Sequence, residues 1–210
     1  LPFLLRCEAQ GIDVVGYDVD NKKVENLKNG KSPLEEEEII EKLHEIDSEL
    51  EVSTDPSVME GSDYFVITVP TPVESKKPDL SYIKSATETV SGYLEQGSTL
   101  ILESTVPPGS TEKILKPVIE EEGFNVGKDA HLAFCPERVE PGNPEWGVHN
   151  IPRVLGGCTD DCRDSAKELY SEVIEADVFD ASSLEVAESS KVLENSFRDI
   201  NIAFVNEVAK

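Results

Sequence analysis

Near its carboxyl end the 210-residue chain carries Lys191, Asn195 and Arg198 at i, i+4 and i+7. At about 100° per residue these three share one face of a helix, and Leu193, Phe197, Ile200 and Phe204 form the opposite, apolar stripe. Ile202, Val205 and Ala209 continue the polar side, so that face is expected to be covered as well. Two cations and an amide under cover call for an anionic ligand, because unpaired buried charge is costly. A second cluster, Cys135-Pro-Glu137-Arg138-Val139-Glu140-Pro-Gly142, sets a carboxylate beside a guanidinium. Arg138 is one of only five arginines, and its fork suits phosphate or carboxylate. A third, Gly16-Tyr17-Asp18-Val19-Asp20 with Lys23 close behind, ends an apolar run in an acid. A carboxylate at a strand's end accepts from both hydroxyls of a ribose and repels a 2′-phosphate, which favours NAD over NADP.

The elements that must position these residues alternate between strand and helix. Leu1 to Ala9 reads as a helix stopped by Gly11, and Ile12 to Asp18 as a strand. Tyr64 to Pro70 and Ser98 to Ser104 are continuously apolar at their centres and so predict strands buried on both faces, with Ala130–Cys135 and Arg153–Gly156 as weaker strands. Helices are expected at about 20–29, 35–46, 80–95, 110–122, 160–173 and 182–210. Ser32-Pro33 followed by Glu35 to Glu38 is a helix start with acids in its first turn. This order predicts an α/β fold: a Rossmann-like, doubly wound, mostly parallel sheet followed by a long helix that begins a central helical domain. The boundary falls near 180, with 1–180 as the NAD-binding unit and 181–210 as the start of the helical one.

Two loops at strand ends complete the candidate cleft. Val69-Pro70-Thr71-Pro72 is stiffened by its prolines and presents the Thr71 hydroxyl. Glu103-Ser104-Thr105-Val106-Pro107-Pro108-Gly109-Ser110-Thr111 runs from a strand through a rigid turn into a helix expected to be capped by a hydroxyl near Ser110, with Ser104 and Thr105 facing the cleft of Thr71. The ribose acid of a dinucleotide-binding unit lies about 20 residues after its glycine loop. Asp18 is 17 residues from Leu1, so the first strand and glycine loop are expected upstream.

Composition excludes several classes. With 43 Asp and Glu against 19 Lys and Arg, the formal charge is -24. Such a surface repels nucleic-acid backbones and anionic lipid heads, so neither is an expected partner. No apolar run approaches the ~20 residues of a membrane span, and no secretory leader pattern is present, which predicts a cytoplasmic protein. Four cysteines (Cys7, Cys135, Cys158, Cys162) are too few and too irregular for a disulfide scaffold. Cys158 and Cys162 share a helix start without a second pair, so no metal is expected.

Taken in order, Gly-Tyr-Asp-Val-Asp, Val-Pro-Thr-Pro, Glu-Ser-Thr-Val-Pro-Pro-Gly-Ser-Thr, Cys-Pro-Glu-Arg-Val-Glu-Pro-Gly and the Lys191–Glu207 segment resemble the UDP-glucose/GDP-mannose dehydrogenase family of nucleotide-sugar 6-dehydrogenases. The terminal Glu194-Asn-Ser-Phe-Arg198-Asp-Ile-Asn201 is most similar to the UDP-N-acetylmannosamine branch. The resemblance implies oxidation of a sugar C6 alcohol to a carboxylate by two NAD, through an aldehyde captured by a cysteine thiolate and a thioester then hydrolysed by water. It implies that Asp18 and Lys23 hold the ribose end of NAD while Thr71 and Thr105 line its cleft. Glu137 orients water or moves a proton, Arg138, Val139 and Arg198 contact the UDP-sugar, Lys191 stabilises the developing alkoxide, and Asn195 holds the same oxygen or a water. Leu1-Pro2 resemble the last letters of the family's glycine loop, and the family's nucleophilic cysteine follows the long helix. The chain is therefore expected to be an inactive fragment of a homodimer or higher oligomer, with Cys135 not the nucleophile and Glu140 without a role. Alternative readings are a UDP-glucose 6-dehydrogenase, a one-hydride β-hydroxyacid dehydrogenase, against which Cys-Pro-Glu-Arg-Val speaks, and a non-catalytic Rossmann binding module.

Overall fold

The computed structural model describes residues 1–33, 39–41, 43, 50–139 and 147–210. Helix α1 (Pro2–Ala9) ends at Gly11, as its pattern requires, and leads to β1 (Gly16–Tyr17) and α2 (Asn21–Lys28). Strand β1 pairs in parallel with β2 (Val52–Ser53). The expected strand over 12–18 shrinks to two residues, because only Gly16 and Tyr17 find ladder partners; Ile12 and Val14 pack against the core instead. Residues 39–41 and 43 are helical, while Glu35 to Glu38 and Glu140 lie outside the described residues.

The main sheet contains β3 (Tyr64–Ile67), β6 (Thr99–Leu102), β7 (His131–Phe134), β8 (Arg153–Gly157) and β9 (Val178–Asp180) in the order β3-β6-β7-β8-β9. All neighbours are parallel except β7 and β8. Leu100, Ile101 and Leu102 have no exposed surface, because alternate residues enter opposite layers. Leu100, Leu102, Leu132 and Phe134 face one cluster with Ile83 and Ile119, whereas Ile101, Ala133 and Leu155 face another with Ala166 and Tyr170. The covering helices are α3 (Ser81–Ser91), α4 (Lys116–Glu121) and α5 (Asp160–Val173). The Asp160–Val173 span coincides with the helix read from the sequence, where Thr159 caps its start through the Cys162 amide.

Three features depart from expectation. A hairpin, β4 (Val73–Glu74) with β5 (Lys77–Pro78), turns on Ser75 and Lys76, both left-handed at φ 51° and 65°. Neither residue is the glycine or asparagine that such a turn favours, so sequence left it unmarked. The helix expected over 110–122 is broken into a π-helical turn, Thr111–Leu115, followed by α4. Pro117 has no amide to return to the carbonyl four residues before it, which removes one α-helical bond there. Short β2 and β9 also escaped the pattern analysis.

The apolar anchorage of helix α6 (Leu184–Val208) among the described residues lies at its beginning, where Leu184 and Ala187 pack into the same cluster as Phe134. The approach depends on Gly156: a methyl group there would lie 2.8 Å from the Ser183 carbonyl and 3.0 Å from Ala187 Cβ. Beyond the sheet the helix projects, and Leu193, Phe197, Ile200 and Phe204 are exposed. Ile202 and Val205 are exposed too, which corrects the expectation of a covered far face. Among the described residues no helix is long and apolar enough to cross a membrane.

Gly156→Ala is expected to push α6 from β8 and to destabilise the chain by about 1–3 kcal/mol in urea unfolding. An unchanged midpoint would show that the close approach is not required.

Candidate functional site

The carboxyl ends of β3, β6 and β7, aligned by parallel ladders, carry three of the five sequence clusters, and that of β1, paired in parallel with β2 in a separate sheet, carries a fourth. At the end of β1, Asp18 accepts the Asp20 amide on one oxygen at 2.9 Å and meets Lys23 Nζ with the other at 3.1 Å. Asp20 caps α2 through the amides of Lys22 and Lys23, which brings Lys23 back toward Asp18. The loops after β3 and β6 are stitched together: the Thr71 hydroxyl donates to the Thr105 carbonyl at 2.9 Å, and the Ser104 hydroxyl to the Val69 carbonyl at 2.6 Å. Asp18 with Lys23, and Thr71 with Thr105, are therefore brought together as their spacing suggested.

The turn into the next helix is capped differently from the sequence expectation. The Ser110 hydroxyl donates back to Pro107 at 2.5 Å and caps nothing. Glu188, fully buried on α6, accepts instead the amides of Gly109 and Thr111, the latter at 2.8 Å, and the Thr111 hydroxyl at 2.6 Å. A carboxylate suits amides left without partners at a helix start. Gly109 sits at φ 82°, a conformation that glycine adopts without strain. Glu188 thereby ties the loop bearing Thr105 to the helix bearing Lys191, one turn further on.

Lys191, Asn195 and Arg198 lie half-buried on one face of α6. Glu194 stands among them, and it answers part of their charge. Arg138 grips Glu194 through Nε at 3.2 Å and a terminal nitrogen at 3.0 Å, and gives its other terminal nitrogen to the Pro152 carbonyl. Arg198 approaches the same carboxylate at 4.0 Å. Partial burial works to raise the Glu194 carboxyl, but the hydrogen bond and charge of Arg138, with Lys191 and Arg198, hold it below the usual range. Burial lowers the Lys191 ammonium from its ordinary value, opposed by Glu194 and reinforced by Arg198. Arg138 is thus a clamp between loop and helix rather than a side chain free in water.

Glu137 accepts the amides of Arg138 at 2.6 Å and Val139 at 2.8 Å on one oxygen. Its other oxygen takes a terminal nitrogen of Arg153 at 3.0 Å. Arg153 has no exposed surface; it also donates to the Pro136 carbonyl at 3.2 Å, lies 3.5 Å from Glu103 and faces the Tyr170 ring. Tyr170 donates its hydroxyl to Glu103 at 2.7 Å. Burial pushes the Glu103 carboxyl up, against the pull of Arg153. Sequence analysis missed Arg153, Tyr170, Glu103 as an ion-pair member and Glu188. An arginine opening a strand and a glutamate amid small residues were the available signals, and neither is distinctive. Cys135 is buried, and burial drives its thiol well up; Cys7 and Cys158 are pushed up to about 12 by the same cause. Among the described residues no group of three His, Cys, Asp or Glu could hold a metal.

Residues 1–174 match the family model described as UDP-glucose/GDP-mannose dehydrogenase family, NAD binding domain, and the chain belongs to that family. It is 36% identical over 211 residues to a UDP-N-acetyl-D-mannosamine dehydrogenase of Pyrococcus horikoshii, covering 100% of this chain and 50% of that protein. It is also 36% identical over 201 residues to a UDP-N-acetyl-D-glucosamine 6-dehydrogenase of Salmonella typhi, with 93% and 46% covered. The solved structure of a UDP-D-ManNAc dehydrogenase from Pyrococcus horikoshii superposes with a TM-score of 0.90 at 35% identity, covering 98% of this chain and 49% of that one. The chain spans about half the length of the curated relatives it matches.

Arg153→Met leaves Glu103 buried without its cation and is expected to cost about 3–5 kcal/mol at pH 7. A carboxyl raised by burial binds its proton more readily in the folded state, so the loss should shrink as the pH falls toward 5. Urea titrations at both pH values check this; an equal loss at both would contradict it.

Proposed function

We propose that this member of the family is the NAD-binding portion of a nucleotide-sugar 6-dehydrogenase that converts UDP-N-acetyl-D-mannosamine to UDP-N-acetyl-D-mannosaminuronate, two NAD taking four electrons from C6. The observation that carries the reading is the grip of Arg138, in the Glu137–Val139 loop, on Glu194 of the helix face that bears Lys191, Asn195 and Arg198, on a helix pinned to the loop of Thr105.

The residues present fit NAD. Asp18 offers a carboxylate at the end of a parallel strand, accessible and flanked by Lys23, where ribose hydroxyls find an acceptor and a 2′-phosphate finds repulsion. Thr71 and Thr105, already tied to one another, would line the same cleft. NAD supplies the hydride acceptor when bound. Lys191 donates to the C6 oxygen as negative charge gathers there, and Asn195 shares that oxygen or holds a water. Glu137, with one oxygen satisfied by amides, accepts from a water or takes its proton. Arg138, the Val139 backbone and Arg198 contact the UDP-sugar. Burial raises the thiols of Cys7, Cys135 and Cys158, which argues against these three as the nucleophile, and the chain by itself is expected to be inactive. The exposed apolar stripe of α6 supports a homo-oligomeric contact in the whole enzyme.

A second reading keeps the chemistry and changes the sugar. UDP-N-acetyl-D-glucosamine differs only in configuration at C2, and the Salmonella typhi relative named for it matches nearly as much of the chain. UDP-glucose lacks the acetamido group. Relative kcat/KM on the three sugars decides among them.

The whole protein should yield two NADH per UDP-N-acetyl-D-mannosamine consumed; one or none would remove the proposal. Lys191→Ala should lower kcat by about 10² or more, and turnover near that of the parent would refute its role. Because burial lowers the Lys191 ammonium, kcat should decline with rising pH below the ordinary lysine range, and Lys191→Arg should move that break upward. An unmoved break would assign the titration elsewhere.

A further inference from the structure

Arg153 opens β8, at the inner end of a chain in which cations are scarce, yet no part of its side chain reaches solvent. A fold that needed only to neutralise Glu103 would be served by one buried pair. Arg153 does something else with its terminal nitrogens: one takes the Pro136 carbonyl at 3.2 Å and the other the Glu137 carboxylate at 3.0 Å. Backbone and side chain of a single short segment are thus held by one planar group. Among the described residues its Nε has no hydrogen-bond partner. Glu103 lies 3.5 Å from the same terminal nitrogen that donates to Pro136, and the Tyr170 ring faces the guanidinium. The Glu137 side chain is 37% exposed, unlike its fully buried partner.

We infer that Arg153 is a positioning residue, a buried clamp that fixes the Glu137 carboxylate and its loop against α6, beside Lys191. The inference rests on the proposed dehydrogenase site for its consequence, though not for its geometry. Two amides hold one Glu137 oxygen and Arg153 holds the other, which leaves that second oxygen a lone pair for a water or a substrate proton. The next residue, Arg138, grips Glu194 on α6, so a shift of the segment would carry the facing cations with it. Glu103 is the counter-charge that keeps the clamp in place when Glu137 is working. Displacements of about 1 Å at such a carboxylate are enough to slow a proton transfer a hundredfold.

The first test uses the 210-residue chain and amide hydrogen exchange. In Arg153→Lys, exchange at Arg138 and Val139, whose amides rest on Glu137, should accelerate about tenfold or more while Ile101 and Ala133 in the sheet keep their protection. Unchanged exchange at 138 and 139, or acceleration throughout the sheet in step with them, overturns the inference. If Arg153→Lys is too unstable to study, the double variant Glu103→Gln with Arg153→Gln removes both buried charges together and should accelerate the same two amides. The second test uses the whole enzyme. Arg153→Lys should lower kcat by about tenfold to a hundredfold with the nucleotide-sugar KM within about twofold, and should lower it no further in a Glu137→Gln background. Additive losses mean that Arg153 acts otherwise. A whole enzyme that makes no NADH from any of the three UDP-sugars refutes the proposed function, and the exchange measurement still decides whether Arg153 holds Glu137.

Discussion

Charge taken out of water must find its partner inside the protein, and three such groups organise this molecule. Glu103, Arg153 and Glu188 are all buried, and each joins elements far apart in the chain. Glu188 carries α6 to the start of the helix after β6, where free amides await an acceptor. Arg153 carries the loop after β7 to the end of β6. Without these links the loops of Thr105 and Glu137 and the helix of Lys191 would be joined chiefly by the Arg138–Glu194 pair, since the buried apolar residues of α6 lie in its first turn.

The net charge of -24 gives the site its setting. An acidic surface disfavours an anionic ligand almost everywhere, and the long-range field is screened over about 10 Å at moderate salt. Only a local gathering of Lys191, Arg198 and Arg138 can offset it, and these share Glu194 as a common anion. The arrangement is a partly neutralised basic cluster, in which Glu194 compensates much of the charge that Lys191, Arg198 and Arg138 bring together.

Legibility followed the physics of each element. The helix at 160–173 was readable because its apolar period, its acids in the first turn and its Thr159 cap all agree. Strand β6 was readable in place because burial on both faces leaves a continuous apolar run, and β3 was readable as well although Tyr64 and Val66 are only partly buried, against the expectation of burial on both faces. The hairpin at 73–78 and the short strands β2 and β9 were not, and β1 was read too long, because hydrogen-bond partners rather than composition make these strands. The Ser110 cap failed for a related reason. A hydroxyl at the right spacing competes with any stronger acceptor that folding brings near, and a carboxylate from 77 residues away won.

The amino-acid sequence alone determined the α/β alternation, the acid at the end of β1, the paired threonines and the shared face of Lys191, Asn195 and Arg198, because each depends on local period or on parallel strands ending at one edge. Tertiary structure alone decided which charges oppose which: Glu188 on the Gly109 turn, Arg153 between Glu103 and Glu137, Arg138 on Glu194. Those pairings join residues tens of positions apart, and electrostatic energy depends on distance in space, which no spacing along the chain encodes.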